Sequence, residues 1–129
     1  MPPTAAETKA VADRIVELCK QGQHRTAVEE CYADNIVSVE ATSTPDAPMP
    51  REMTGKEMVL GKTDWWYDNH EMHGGTVDGP FMHGDDRFAL IFDFDVTFKP
   101  TSQRMQMREV GLYTVADGKI SREEFYYTM

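Results

Sequence analysis

The stretch "RFALIFDFDVTF", Arg87 to Phe98, decides how this chain reads. Phe88, Leu90, Phe92, Phe94, Val96 and Phe98 share one parity, while Ala89, Ile91, Asp93, Asp95 and Thr97 share the other. Successive side chains of a strand point to opposite faces, so the first set is an interior row and the second an outer one. The following stretch "MQMREVGLY", Met105 to Tyr113, alternates in the same way, yet a carboxylate, Glu109, falls on the parity of Met105, Met107 and Tyr113. With Pro100 and Thr101 in the loop and Phe98 facing Gln103, Phe94 opposes Met107, Phe92 opposes Glu109 and Phe88 opposes Tyr113. The same pairing sets Asp93 against Arg108 on the far face. A slip by one residue would put the phenylalanine row against Arg104, Gln106 and Arg108, so burial selects the register that turns Glu109 inward.

Around this pair lies a meander of four strands, roughly Met72 to His83, Arg87 to Phe98, Gln103 to Val115 and Lys119 to Met129, joined at "HGDD", "KPTS" and "ADGK". Asp117-Gly118 suits a two-residue type I′ hairpin. Carried across that turn, Ala116 faces Lys119, Tyr126 comes opposite Glu109, Glu124 opposite Gly111 and Arg122 opposite Tyr113. Glu109 is then expected between Phe92 and Tyr126.

Upstream the pattern is helical. "TAAE", Thr4 to Glu7, has capping-box spacing, and Val11, Ile15, Leu18 and Cys19 recur at helical intervals up to Gly22. A shorter second helix carries Ala27, Val28, Cys31 and Tyr32 before the β-branched run "IVSV". Pro45, Pro48 and Pro50 make Thr42 to Met53 a loop, a candidate lid because it follows Glu40 directly. "TGKE", Thr54 to Glu57, reads as a second capping box opening a helix with Met58, Val59, Trp65 and Trp66, of which one tryptophan is expected over the cavity. The expectation is one α+β domain over residues 1–129: a curved antiparallel sheet with three N-terminal helices on its concave face.

Composition narrows the function classes. The 129 residues carry 13 Lys and Arg against 22 Asp and Glu, a formal charge of −9, and no basic stretch tracks a phosphate backbone. Nucleic acid is an unsuitable partner. No basic and apolar leader opens the chain and no apolar run is long enough for a bilayer, which reads as a soluble, cytoplasmic protein. Cys19 and Cys31 lack metal-ligand spacing and read as small core residues. "HEMH", His70 to His73, departs from the helical H-E-x-x-H zinc signature, so no metal or other cofactor is called for, and His73 is a pocket-lining candidate.

An acid ringed by phenylalanine has a raised pKa, because burial disfavours its charged form, and such a group can carry protons near neutral pH. The plainer reading makes Glu109 a structural acid bonded to Tyr126 or paired with Arg122. On the opposite sheet face, Ala89, Ile91, Val110, Leu112, Phe125, Tyr127 and Met129 form an apolar patch, which points to a homodimer through the outer face of the sheet.

The order of elements, the stretch "ECYADNIVSVEA" and the closing "VADGKISREEFYY" resemble the SnoaL-like branch of the nuclear transport factor 2-like superfamily of cone-shaped domains. The resemblance implies an apolar pocket at the open end of the cone, used in polyketide cyclases, ketosteroid isomerases and dehydratases. Aligned from "YAD", the general-base carboxylate of the ketosteroid isomerases falls on Glu40. Their second acid falls within a residue of Val110, with Glu109 the nearest acid, and the tyrosine of their first helix falls near Ile15. The resemblance thus implies acid-base chemistry on a small, apolar carbonyl compound, with Glu40, Glu109 and Tyr126 as catalytic candidates. Trp66, His73, Phe92, Phe94, Met107 and Arg122 are the ligand-binding candidates. The alternative is a non-catalytic ligand-binding or dimeric assembly module.

Overall fold

The computed structural model describes residues 2–41 and 50–127. Helix α1 spans Ala5–Lys20, and the Thr4 hydroxyl accepts the backbone N–H of Glu7 at 3.2 Å, which satisfies one of the free donors of the first turn. Helix α2 spans His24–Cys31, and strand β1, Tyr32–Val39, leaves it without a loop. Helix α3 spans Lys56–Asn69 and runs directly into β3, His70–His83. Strands β4, Arg87–Phe98, β5, Gln103–Ala116, and β6, Lys119–Tyr126, complete the chain.

A short strand β2, Glu52–Thr54, lies in the stretch expected to be loop, and pairs antiparallel with β1 through Val37↔Thr54 and Val39↔Glu52. Its single buried residue, Met53, gives too short an alternation to be read from sequence. Thr54 therefore belongs to a strand and caps no helix; Gly55 occupies the N-cap of α3 at φ 105°, a conformation that glycine tolerates and other residues resist. The greater part of the candidate lid, residues 42–49, lies outside the described residues.

The sheet runs β2-β1-β6-β5-β4-β3. It is mixed and unclosed, because β1 lies parallel to β6 while the other neighbours are antiparallel, which corrects the wholly antiparallel expectation. Edge strand β3 accommodates Pro80 at an irregularity between Asp78 and Phe81, where a missing donor costs least. The three helices cover one face. Ala12, Ile15 and Leu18 from α1 and Val59 from α3 are buried in one cluster with Phe88, Leu90 and Val96 from β4 and Tyr113 and Val115 from β5.

The two hairpins of β5 differ. On the β4 side the expected register holds residue for residue: Phe88↔Tyr113, Phe92↔Glu109, Asp93↔Arg108, Phe94↔Met107 and Phe98↔Gln103. On the β6 side the pairing starts as expected at Ala116↔Lys119 and Val115↔Ile120, then resumes at Thr114↔Arg122. Ser121 is an extra residue, a bulge that moves every later side chain of β6 to the other face. Tyr126 accordingly pairs with Val110, and Glu123, in place of Arg122, faces Tyr113.

A candidate acid-base cavity

Between the helices and the inner sheet face lies an open cavity of about 470 Å³. Its lining divides by chemistry. One end is aromatic: Trp65, Trp66 and Tyr67 from α3, His70 from β3, and Phe92, Phe94 and Phe98 from β4. The Trp66 ring stacks on His70 at 4.3 Å between centroids and lies 5.8 Å from Phe94. Both tryptophans border the cavity, where one was expected, because the opening follows the end of α3 and leaves both half-buried.

The other end holds three carboxyls and one ammonium: Glu40 just beyond β1, Glu109 on β5, Glu123 on β6 and Lys62 on α3. Lys62 Nζ donates to Glu40 Oε1 and to Ser38 Oγ, each at 2.7 Å, and stands 3.8 Å from Glu123 Oε1. Tyr127 donates its hydroxyl to Glu40 Oε2 at 3.0 Å. Glu123 is 1% exposed; it accepts from Ser38 Oγ at 2.9 Å and from the hydroxyl of Tyr32. Burial pushes its carboxyl pKa up, against the opposing pull of Lys62 and of these two hydroxyls. A buried acid with this set of partners is structurally satisfied.

Glu109 is arranged differently. No hydrogen bond to a described residue contributes to its titration. Burial first, then the neighbouring charge of Glu40, pushes its pKa from 4.5 up to about 7, while Lys62 pulls it down. At neutral pH the group is therefore divided between acid and carboxylate, the condition under which one side chain can both take and return a proton.

Across the cavity His24, on α2, bonds through Nδ1 to the hydroxyl of Tyr67, and burial lowers its pKa, which favours the neutral ring. Burial likewise holds the Tyr67 hydroxyl up at about 12 and the Cys19 thiol up at about 12, which leaves neither as a nucleophile at neutral pH.

Of the residues singled out from sequence, Glu40, Glu109, Trp66, Phe92, Phe94 and Met107 lie together on this cavity. Tyr126 and Arg122 do not: the Ser121 bulge turns them to the outer face, where Tyr126 is 52% exposed and both bond Glu124. His73 is absent from the lining as well, since it is the extra residue of a bulge between Met72↔Val96 and Gly74↔Asp95 and bonds Thr97 Oγ1 at 2.7 Å in the open. His70 holds the inward place instead. The same β6 bulge moves Phe125 and Tyr127 from the expected outer patch to the cavity wall, and Met129 lies outside the described residues. Lys62, His24, Tyr32 and Glu123 were not signalled by the sequence. Of these, Lys62 meets Ser38 and Glu40 through the packing of α3 on β1, which the sequence alone does not show.

Three helices against a mixed, curved and unclosed six-stranded sheet define an α+β fold, and the comparisons with known proteins narrow it to a family. The SnoaL-like domain family matches residues 6–127, and the chain belongs to that family. A Mesorhizobium loti structure, provisionally named a SnoaL-like polyketide cyclase with the further words carbohydrate phosphatase, is 49% identical. The match covers 92% of this chain and 97% of that one at a TM-score of 0.85. A Bacillus subtilis structure provisionally named an isomerase shares the fold at 13% identity and a TM-score of 0.75, over 95% of this chain and 87% of that one. A Jannaschia structure, also provisionally a SnoaL-like polyketide cyclase, does so at 14% and 0.72, over 98% and 88%. No curated protein sequence matches the chain. Among the described residues no helix is long and apolar enough to cross a membrane.

Proposed function

We propose that the chain is a cofactor-independent acid-base enzyme acting on a small, largely apolar carbonyl compound, with Glu109 as the proton carrier. The observation that carries this reading is Glu109 itself: a carboxyl in an aromatic-walled cavity, without a hydrogen bond from a described residue and with a pKa of about 7. A structural acid would be bonded as Glu123 is. In the proposed step the Glu109 carboxylate takes a proton from the carbon next to the carbonyl. The C–H electron pair becomes the enolate C=C, the carbonyl π pair moves to oxygen, and Glu109 returns the proton to the same or another carbon. Glu40, already held by Lys62 and Tyr127, shapes the electrostatics of Glu109 and is not itself the base.

The polyketide cyclase name of the 49%-identical relative supports the class, since a polyketide is rich in enolisable carbonyl groups. The words carbohydrate phosphatase suit this chain less, because the acidic end sets three carboxyls against a single lysine, a poor receptor for a phosphate ester. The outer sheet face, with Ala89, Ile91, Leu112 and the 36%-exposed Val110, supports pairing with a second copy of the chain, which sedimentation velocity over a range of concentrations would test.

The activity is tested by incubating the protein with 2-tetralone or phenylacetone in deuterated buffer and following exchange at the α-carbon by NMR. Exchange above the buffer rate is expected, reduced about 10²–10⁴-fold in Glu109→Gln. Ketones that bind without accelerated exchange would favour the ligand-binding module instead.

A further inference from the structure

Three hydroxyls at the acidic end of the cavity are committed as donors within the protein: Tyr32 and Ser38 donate to Glu123, and Tyr127 donates to Glu40. Lys62 differs from these three. An ammonium has three N–H donors. Two go to Ser38 Oγ and Glu40 Oε1 at 2.7 Å, and the next acceptor, Glu123 Oε1, lies at 3.8 Å, beyond hydrogen-bond reach. The ammonium stands over the Phe125 ring, 5.1 Å from its centroid, and its side chain is only 16% exposed, so it is largely withdrawn from water, where a charge acts more strongly. It is also the one lysine or arginine on the cavity wall among the described residues, and is near enough to Glu109 to bear on its charge.

We propose that Lys62 is a further catalytic residue: its third N–H donates to the carbonyl oxygen of the substrate and meets the negative charge that develops there when Glu109 removes the neighbouring proton. The proposal rests on the acid-base reading of Glu109 and adds the second half of the step. Proton abstraction moves one negative charge from the Glu109 carboxylate to the substrate oxygen. Without a donor that charge would arise beside Glu40 and Glu123, which repel it. The ion pair with Glu40 and the bond to Ser38 fix the ammonium in place before reaction, so little reorganisation accompanies the charge transfer. The substrate class narrows with it: a flat apolar body against Trp66, Phe92 and Phe94, with an uncharged carbonyl rather than a carboxylate or phosphate at the acidic end.

The probe is 4-nitrophenol, a flat oxyanion analogue whose visible absorbance reports its own ionisation. Bound to the protein it is expected to ionise more readily than free in solution, by about one pKa unit or more, as an opposite charge in contact dictates. Glu109→Gln keeps that shift. Lys62→Met abolishes or reverses it and Lys62→Arg retains part of it. Since Lys62→Met alone leaves Glu40 unpaired, Lys62→Met combined with Glu40→Gln serves as the folded control and behaves as Lys62→Met does. Equal ionisation of bound probe in wild type and in the combined variant would overturn the role of Lys62 while leaving Glu109 untouched. Failure of wild type to bind 4-nitrophenol, or any of the ketones, would overturn the cavity reading on which both rest.

Discussion

Strand β5 meets its two neighbours under different rules, and each pairing places one acid on the cavity side. Toward β4 the ladder is unbroken from Arg87↔Thr114 to Phe98↔Gln103, and the half-buried Glu109 comes to rest opposite Phe92 on the cavity wall. Toward β6 one extra residue, Ser121, breaks the ladder, and Glu123 comes inward opposite Tyr113, where Tyr32, Ser38 and Lys62 meet it. Both acids are pushed up in pKa by burial. Only one is compensated. The regular hairpin leaves a carboxyl chemically available, whereas the irregular one locks a carboxyl into the scaffold and, through Lys62, orients the wall that faces the first.

The sharpest way to break this contrast is to delete the satisfied acid. Glu123→Ala strands the Tyr32 and Ser38 hydroxyls in the core and should lower stability by about 3 to 5 kcal/mol in a urea titration. A loss below about 1 kcal/mol would make Glu123 as dispensable as an exposed pair.

Glu109→Gln should act in the opposite sense. The folded-state pKa of Glu109, about 7, lies above its ordinary 4.5, so the folded chain holds the extra proton between these values. The stability tied to that proton is full below about pH 4.5 and is lost as pH rises through 7. Glutamine cannot lose a proton. The variant should match wild type near pH 4.5 and exceed it above pH 7 by up to about 3 kcal/mol, less whatever solvent in the open cavity screens. For a chain of this size that corresponds to roughly 3 to 6 °C of melting temperature per kcal/mol. A variant less stable than wild type at pH 8 would return Glu109 to the structural acids.

Removal of Ser121 should have the smallest effect. Its neighbours Ile120 and Arg122 already pair with the adjacent residues Val115 and Thr114, so the deletion regularises the ladder and keeps Glu123 inward. The loss is the 3.2 Å bond from Ser121 Oγ to the Thr114 carbonyl, about 1 kcal/mol by melting. Collapse of the fold would show that the bulge itself, through the β1 pairing, holds the sheet.

The contrast also explains what was legible in the sequence. Between β4 and β5 the two parities differ in kind: phenylalanines on one, aspartates on the other, with Arg104 and Arg108 in place to pair Asp95 and Asp93. A slip there would bury arginines, so the pattern allows one answer. In "REEFYY" each parity carries one glutamate and at least one aromatic residue, and the parities differ in kind only by Arg122 against Phe125, so a slip by one leaves a weak compositional trace. Tyr126 and Arg122 were misplaced for that reason, and Glu123 was missed. His73 failed in the same way at the β3 bulge. The phenylalanine wall follows from strand alternation, whereas Glu40 follows from the resemblance aligned at "YAD". Lys62 and His24 follow from neither: each is one of several polar residues on its helix, indistinguishable from a solvated side chain until the helix is seen to border a cavity.

The partly titrated carboxyl of Glu109 has one more consequence, for calorimetry. With its pKa raised to about 7, this position holds a proton in only part of the population near neutral pH. Any ligand that prefers one form must draw the missing fraction from the buffer or discharge it there. The apparent heat of binding will then vary with the ionisation enthalpy of the buffer chosen, and the slope of that variation counts the protons exchanged and gives their sign, which sorts ligands into those that meet the acid and those that meet its conjugate base before any turnover is measured.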